Sequence, residues 1–165
     1  MSLDSQQIGI IGRQILTANL LAADLEVAVP IRDRGIDLIV YRDRGEDGVF
    51  RACPIQLKTA SEAVFGLEAK YQHFGGLRIV FVWNAKEPSK AQLFSLTYAE
   101  ALEVLTLMKF DQTDSWREGR YTTTRPSVKL KAMLEGRFEV KNPQQWPERL
   151  GMVNPVDASN LSQPS

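Results

Sequence analysis

Leu77-Arg78-Ile79-Val80-Phe81-Val82-Trp83 is an almost unbroken apolar run, rich in β-branched and aromatic residues. A strand with one wet face alternates apolar and polar residues. A strand without that alternation is buried on both sides. Such a strand needs a packed layer against each face, so the chain is expected to be an α/β (α+β) protein with a mixed central sheet flanked by helices.

The remaining segments fit that frame. Ile8, Ile11, Ile15, Ala18 and Ala22 recur at helical spacing, which predicts a first helix over 5–23, capped by Asp4 or Ser5. Strands are expected at 26–29, 35–41, 49–58, 77–83 and 91–96. Between the third and fourth, Ala63-Val64-Phe65-Gly66-Leu67 reads as a strand followed by a short helix over 68–74. Thr97 and Glu100 form a capping box opening a helix that runs to about 108, and Pro126 starts a short helix over 127–134. Pro54 inside its strand suggests an edge position or a bulge. Residues 111–124 read as irregular. One domain over 1–141 is expected, followed by a loosely packed or disordered tail over 142–165, where Pro, Asn, Gln and Ser dominate.

Composition excludes more than it assigns. Twenty Lys and Arg balance twenty Asp and Glu. A strongly basic nucleic-acid binder is not announced by those totals, and local charge must carry any such argument. The single cysteine, Cys53, rules out an internal disulfide and a multi-cysteine zinc site. A reducing, cytoplasmic setting is expected, with no signal peptide and no membrane span.

The chemistry is carried by Gly35-Ile36-Asp37-Leu38-Ile39-Val40 and the following Pro54-Ile55-Gln56-Leu57-Lys58. A carboxylate opening an apolar strand is unfavourable there without a partner. Gln56 and Lys58 are two apart and share a face, while Leu57 points into the core. If Arg42 opposes Val49 in the hairpin, Asp37 is diagonal to Gln56. A shift of two puts them directly opposite, and a shift of one separates them onto different faces. Asp37 would supply the carboxylate that Mg²⁺ prefers, with the Gln56 amide and the Leu57 carbonyl as neutral oxygens. Lys58 would orient water or neutralise a phosphate. Taken alone, Asp37 reads more readily as a strand-edge salt-bridge partner of Arg34 or Lys58.

An aspartate at the start of one strand and (Asp/Glu/Gln)-x-Lys on the next resembles the PD-(D/E)XK pattern of restriction-endonuclease-like proteins, in the branch where glutamine replaces the second acid. The resemblance covers about residues 5–108. It implies an α-β-β-β-α-β core, catalytic Asp37, Gln56 and Lys58, a Mg²⁺ or Mn²⁺ ion held by Asp37 and Gln56, and a nucleic-acid substrate, DNA ahead of RNA. It also admits a homodimer, since such nucleases often cut two strands. Many members carry a glutamate on the first helix; here Gly12 is followed by Arg13 and Gln14.

Between 115 and 141, seven Lys and Arg face three Glu. Arg117, Arg120, Arg125 and Lys129 are the candidate phosphate contacts there, beside Tyr121 and three threonines. Two rivals stay open: a catalytically inactive module of the same fold that binds nucleic acid or protein, and an interaction protein with no nucleic-acid role.

Overall fold

The computed structural model describes residues 3–43 and 47–153. Helix α1, Ser5–Ala22, is opened by Asp4, whose side chain accepts from the Gln7 amide while the Gln7 side chain answers the Asp4 amide. Strands β1 (Glu26–Ala28), β2 (Leu38–Arg42), β3 (Arg51–Thr59), β5 (Arg78–Trp83) and β6 (Gln92–Thr97) form one sheet in the order β1-β2-β3-β5-β6. All neighbours are antiparallel except β3 and β5, which run parallel. The fold is therefore mixed α/β with helices on both faces of a five-stranded mixed sheet.

The two faces carry separate cores. Leu38, Val40, Cys53, Ile55, Val80 and Val82 pack against Leu16 and Leu20 of α1. Ile79, Phe81, Trp83, Phe94 and Leu96 pack on the other side against α2 (Tyr98–Leu107) and α4 (Val128–Arg137). β5 thus feeds both cores, which is what its apolar run requires. Thr97 and Glu100 cap α2 reciprocally, and Ser127 caps α4.

Four expectations change. The β2–β3 register puts Arg42 opposite Arg51 rather than Val49, so the turn closes later and the pairing shifts by two. Pro54 lies in a central strand with no bulge in its pairing to β2, opposite Ile39. The Ile55 carbonyl points toward β2, where it accepts from the Asp37 amide. Adjacent Pro54 therefore turns its ring nitrogen toward β5, whose pairing starts only at Ile55. No ladder bond is lost there.

The segment read as irregular contains α3, Asp114–Arg117, and β7, Arg120–Thr123. β7 pairs antiparallel with β4, Phe65–Glu68, as a separate two-stranded sheet. The segment expected as tail packs through Met152. A short helix, α5 (Trp146–Arg149), buries Trp146, and Leu150 and Met152 join the core on the α1 side. Residues 154–165 lie outside the described residues. No helix among those described is long and apolar enough to cross a membrane.

Candidate metal centre

Asp37 sits where the chain enters the sheet. Its amide donates to the Ile55 carbonyl at 2.8 Å, and β2 begins one residue later. Gly35, at φ +93°, turns the preceding loop and lies close to the Tyr71 and Phe74 rings. Asp33 accepts from the Gly35 amide within that turn. Because Leu38 opposes Ile55, Asp37 falls directly across from Gln56.

The Asp37 carboxylate is tightly held. One oxygen, Oδ2, accepts from the Leu57 amide at 2.7 Å and from Gln56 Nε2 at 2.7 Å. The Leu57 amide needs this partner, since the chain has already left the ladder at that level. Gln56 Nε2 also donates to the Leu57 carbonyl at 3.3 Å. A single donor group therefore occupies the point on which a carboxylate oxygen and a backbone carbonyl converge. Burial pushes the Asp37 carboxyl above its ordinary pKa. The Leu57 amide opposes that shift, nearby Asp33 adds to it, and Arg13 and Lys58 counter it.

That donor set suits a hard divalent cation. Rotating the Gln56 amide by half a turn would bring Oε1 where Nε2 now sits, giving three oxygens of three kinds around one point. Mg²⁺ keeps most of its waters and takes few protein ligands, so one carboxylate with two neutral oxygens fits it. Among the described residues no group of three or more His, Cys, Asp or Glu side chains gathers around a point. An ion here would rest on a single acid.

Lys58 continues the same strand face, with its side chain only 17% exposed. Its Nζ lies 3.6 Å from Glu68 Oε1 and over the Tyr71 ring, 5.6 Å from the centroid. Burial pulls the ammonium below its ordinary pKa, and Glu68 is the main opposing influence. Glu68 ends β4 and gathers three partners, with the Tyr71 hydroxyl at 3.0 Å and Lys70 Nζ at 2.8 Å beside Lys58. Burial works against its carboxylate, but the Lys70 and Tyr71 hydrogen bonds and the lysine charges outweigh that and hold its pKa low. The sequence reading missed Glu68. The one available signal was a carboxylate closing an apolar strand, the same pattern that marked Asp37.

The four basic candidates do not form one patch. Arg120 is the backbone partner of Glu68 in the β4–β7 pairing and is exposed. Arg125 lines a hollow with Asp4, Ser5 and Glu62 at the start of α1. Arg117 is exposed and paired to Asp114 at 2.9 Å. Lys129 is exposed on α4. Tyr121, read as a companion of these cations, stacks on Phe110 with centroids 4.2 Å apart. Trp116 is half-buried against the α2-side core. No protein-family model, no curated protein and no solved structure matches the chain.

Proposed function

We propose that the chain is a PD-(D/E)XK-type nuclease that hydrolyses phosphodiesters of DNA, or of RNA, with a Mg²⁺ or Mn²⁺ ion at Asp37. The observation that carries this reading is the convergence of Asp37 Oδ2 and the Leu57 carbonyl on the Gln56 amide, with Lys58 next on the same strand face. The element order supports a restriction-endonuclease-like core: α1, three antiparallel strands, then a crossover to β5 parallel with β3.

In this reading Asp37, the Leu57 carbonyl and Gln56 Oε1 hold the ion. When bound, the ion polarises the phosphoryl oxygen and lowers the pKa of an attacking water. Lys58 neutralises charge that builds on the phosphate, in a setting shielded enough for that charge to count. Glu68 and Tyr71 fix where the ammonium points, as positioning residues. A cytoplasmic setting and a second copy of the chain belong to the same proposal.

The test is cleavage of supercoiled plasmid and of RNA with Mg²⁺ or Mn²⁺, alongside Asp37→Ala and Lys58→Ala. Both substitutions are expected to abolish cutting. Cutting that survives Asp37→Ala assigns the activity elsewhere. A second reading, an inactive module that binds nucleic acid, is favoured by the lone carboxylate. It predicts a salt-dependent gel shift without cleavage in any of these metals.

A further inference from the structure

Helix α1 is seated on the site by a close contact. A Cβ on buried Gly12 would lie 2.3 Å from the Thr59 side chain, so only glycine lets the helix approach the end of β3 this closely. The next residue, Arg13, is exposed. Between helix and sheet runs a groove of about 620 Å³, walled by Gly9, Ile10 and Arg13 on one side and Asp33, Asp37 and Leu57 on the other. At Gly9 the helix presents no side chain to the groove, and a Cβ there would meet nothing within 4 Å. Arg13 makes no ion pair within 4.0 Å among the described residues. Its charge nevertheless reaches Asp37.

The groove's charge balance is informative. Of the side chains that line it, Asp33 and Asp37 against Arg13 sum to one negative unit, which disfavours a polyanion. A divalent ion on Asp37 makes it one unit positive. Asp33 is held in its own turn by the Gly35 amide, and Arg13 is the exposed cation on the groove wall.

We infer that Arg13 is a phosphate-binding residue. It grips the nucleic-acid backbone in the groove beside Asp37, and the grip forms only once a divalent cation has reversed the groove's charge. This rests on the nuclease reading above and adds to it a contact and an order of events. An arginine suits the task, since its planar fork meets two phosphate oxygens at once.

The probe is fluorescence anisotropy of a labelled oligonucleotide, single- and double-stranded, across a salt series. Ca²⁺ replaces Mg²⁺ to hold off cutting, with EDTA as the other arm. The wild type is expected to bind more tightly in Ca²⁺ than in EDTA, and Asp37→Ala to lose that gain. Arg13→Ala should weaken binding in Ca²⁺ by roughly tenfold. It should also lower the slope of log K against log salt by about one, the mark of one lost phosphate contact. Arg13→Lys should restore the slope and Arg13→Glu should weaken binding further. Arg13 is exposed, so melting temperatures should match the wild type.

Unchanged affinity and slope in Arg13→Ala, with a wild type that binds and an Asp37-dependent cut, overturns the role of Arg13 alone. Equal wild-type affinity in Ca²⁺ and EDTA overturns the order of events. A wild type that neither binds nor cuts removes the nuclease reading and Arg13 with it.

Discussion

Gln56 and Asp37 face each other across β2 and β3 and share one hydrogen, Nε2 to Oδ2, at 2.7 Å. The amide meets the carboxylate with its donor end. An acid at the same position would meet it with an acceptor.

Gln56→Glu is therefore expected to set two carboxylates and the Leu57 carbonyl around one point, with only the Leu57 amide left to donate, to Asp37 Oδ2. The metal-free protein should lose about 1–3 kcal/mol at neutral pH, since two like charges then face each other in a half-buried setting and the new carboxylate has no donor. Mn²⁺ should return most of it. Thermal melting in EDTA and in Mn²⁺ checks this. Equal melting temperatures in the two would mean that no cation is held between these side chains.

Glu68→Gln tests the support of Lys58 and has a defined pH dependence. The folded pKa of Glu68 lies below its ordinary 4.5. Its stabilising contribution is thus present above pH 4.5 and disappears as pH falls through the folded value. The variant should have a lower urea midpoint than the wild type at pH 7, and the gap should close on acidification. In cleavage assays kcat should fall more than KM rises, because Lys58 loses its anchor and the ion site is untouched.

Gly12→Ala should destabilise the fold by about 1–3 kcal/mol, the range for inserting a methyl into filled space. The added carbon would meet Thr59 Cβ as well as its branches, so rotating Thr59 cannot relieve the clash. Helix α1 has to move outward instead, and Arg13 with it. Urea denaturation measures the first effect, and oligonucleotide affinity in Ca²⁺ the second.

Cys53 is buried, and burial pushes its thiol pKa up to about 11. Ellman's reagent should leave it untouched in native protein and titrate one thiol in denaturant. The labelling rate across a urea series then reports opening of the α1-side core. Rapid native labelling would place Cys53 at the surface.

Local signals were readable in the sequence. Asp4, one of two candidate caps, opens α1, and the Thr97–Glu100 box opens α2 through contacts three residues apart. The unbroken apolar run of β5 is visible for the same reason, as a property of neighbouring residues. The hairpin register was harder. Alternation fixes which residues share a face, but only the true turn length chooses between registers two apart, and Arg42 pairs with Arg51. β7 was hidden because Arg120-Tyr121-Thr122-Thr123 becomes a strand only by pairing with β4, far back along the chain. Trp146, Leu150 and Met152 were masked by the polar residues around them, although three apolar side chains suffice to pin a segment to a core. The placing of Asp37 opposite Gln56 was one of the registers that the sequence left open. Glu68 was not recognisable, since its value comes from neighbours that only the folded chain supplies.

β3 is hydrogen-bonded to antiparallel β2 up to Ile55 and to parallel β5 from Ile55 onward, and the Asp37 carboxylate holds the Leu57 amide on the side that β2 has left. The backbone that presents Gln56 and Lys58 therefore has nowhere to go when a ligand arrives. Accommodation falls to the residues around it: the turn at Asp33 and Gly35, the amide of Gln56, and the side chains along the open edge of α1. Evolution or engineering that retunes this centre has most freedom in those three places, and least in the strand that displays it.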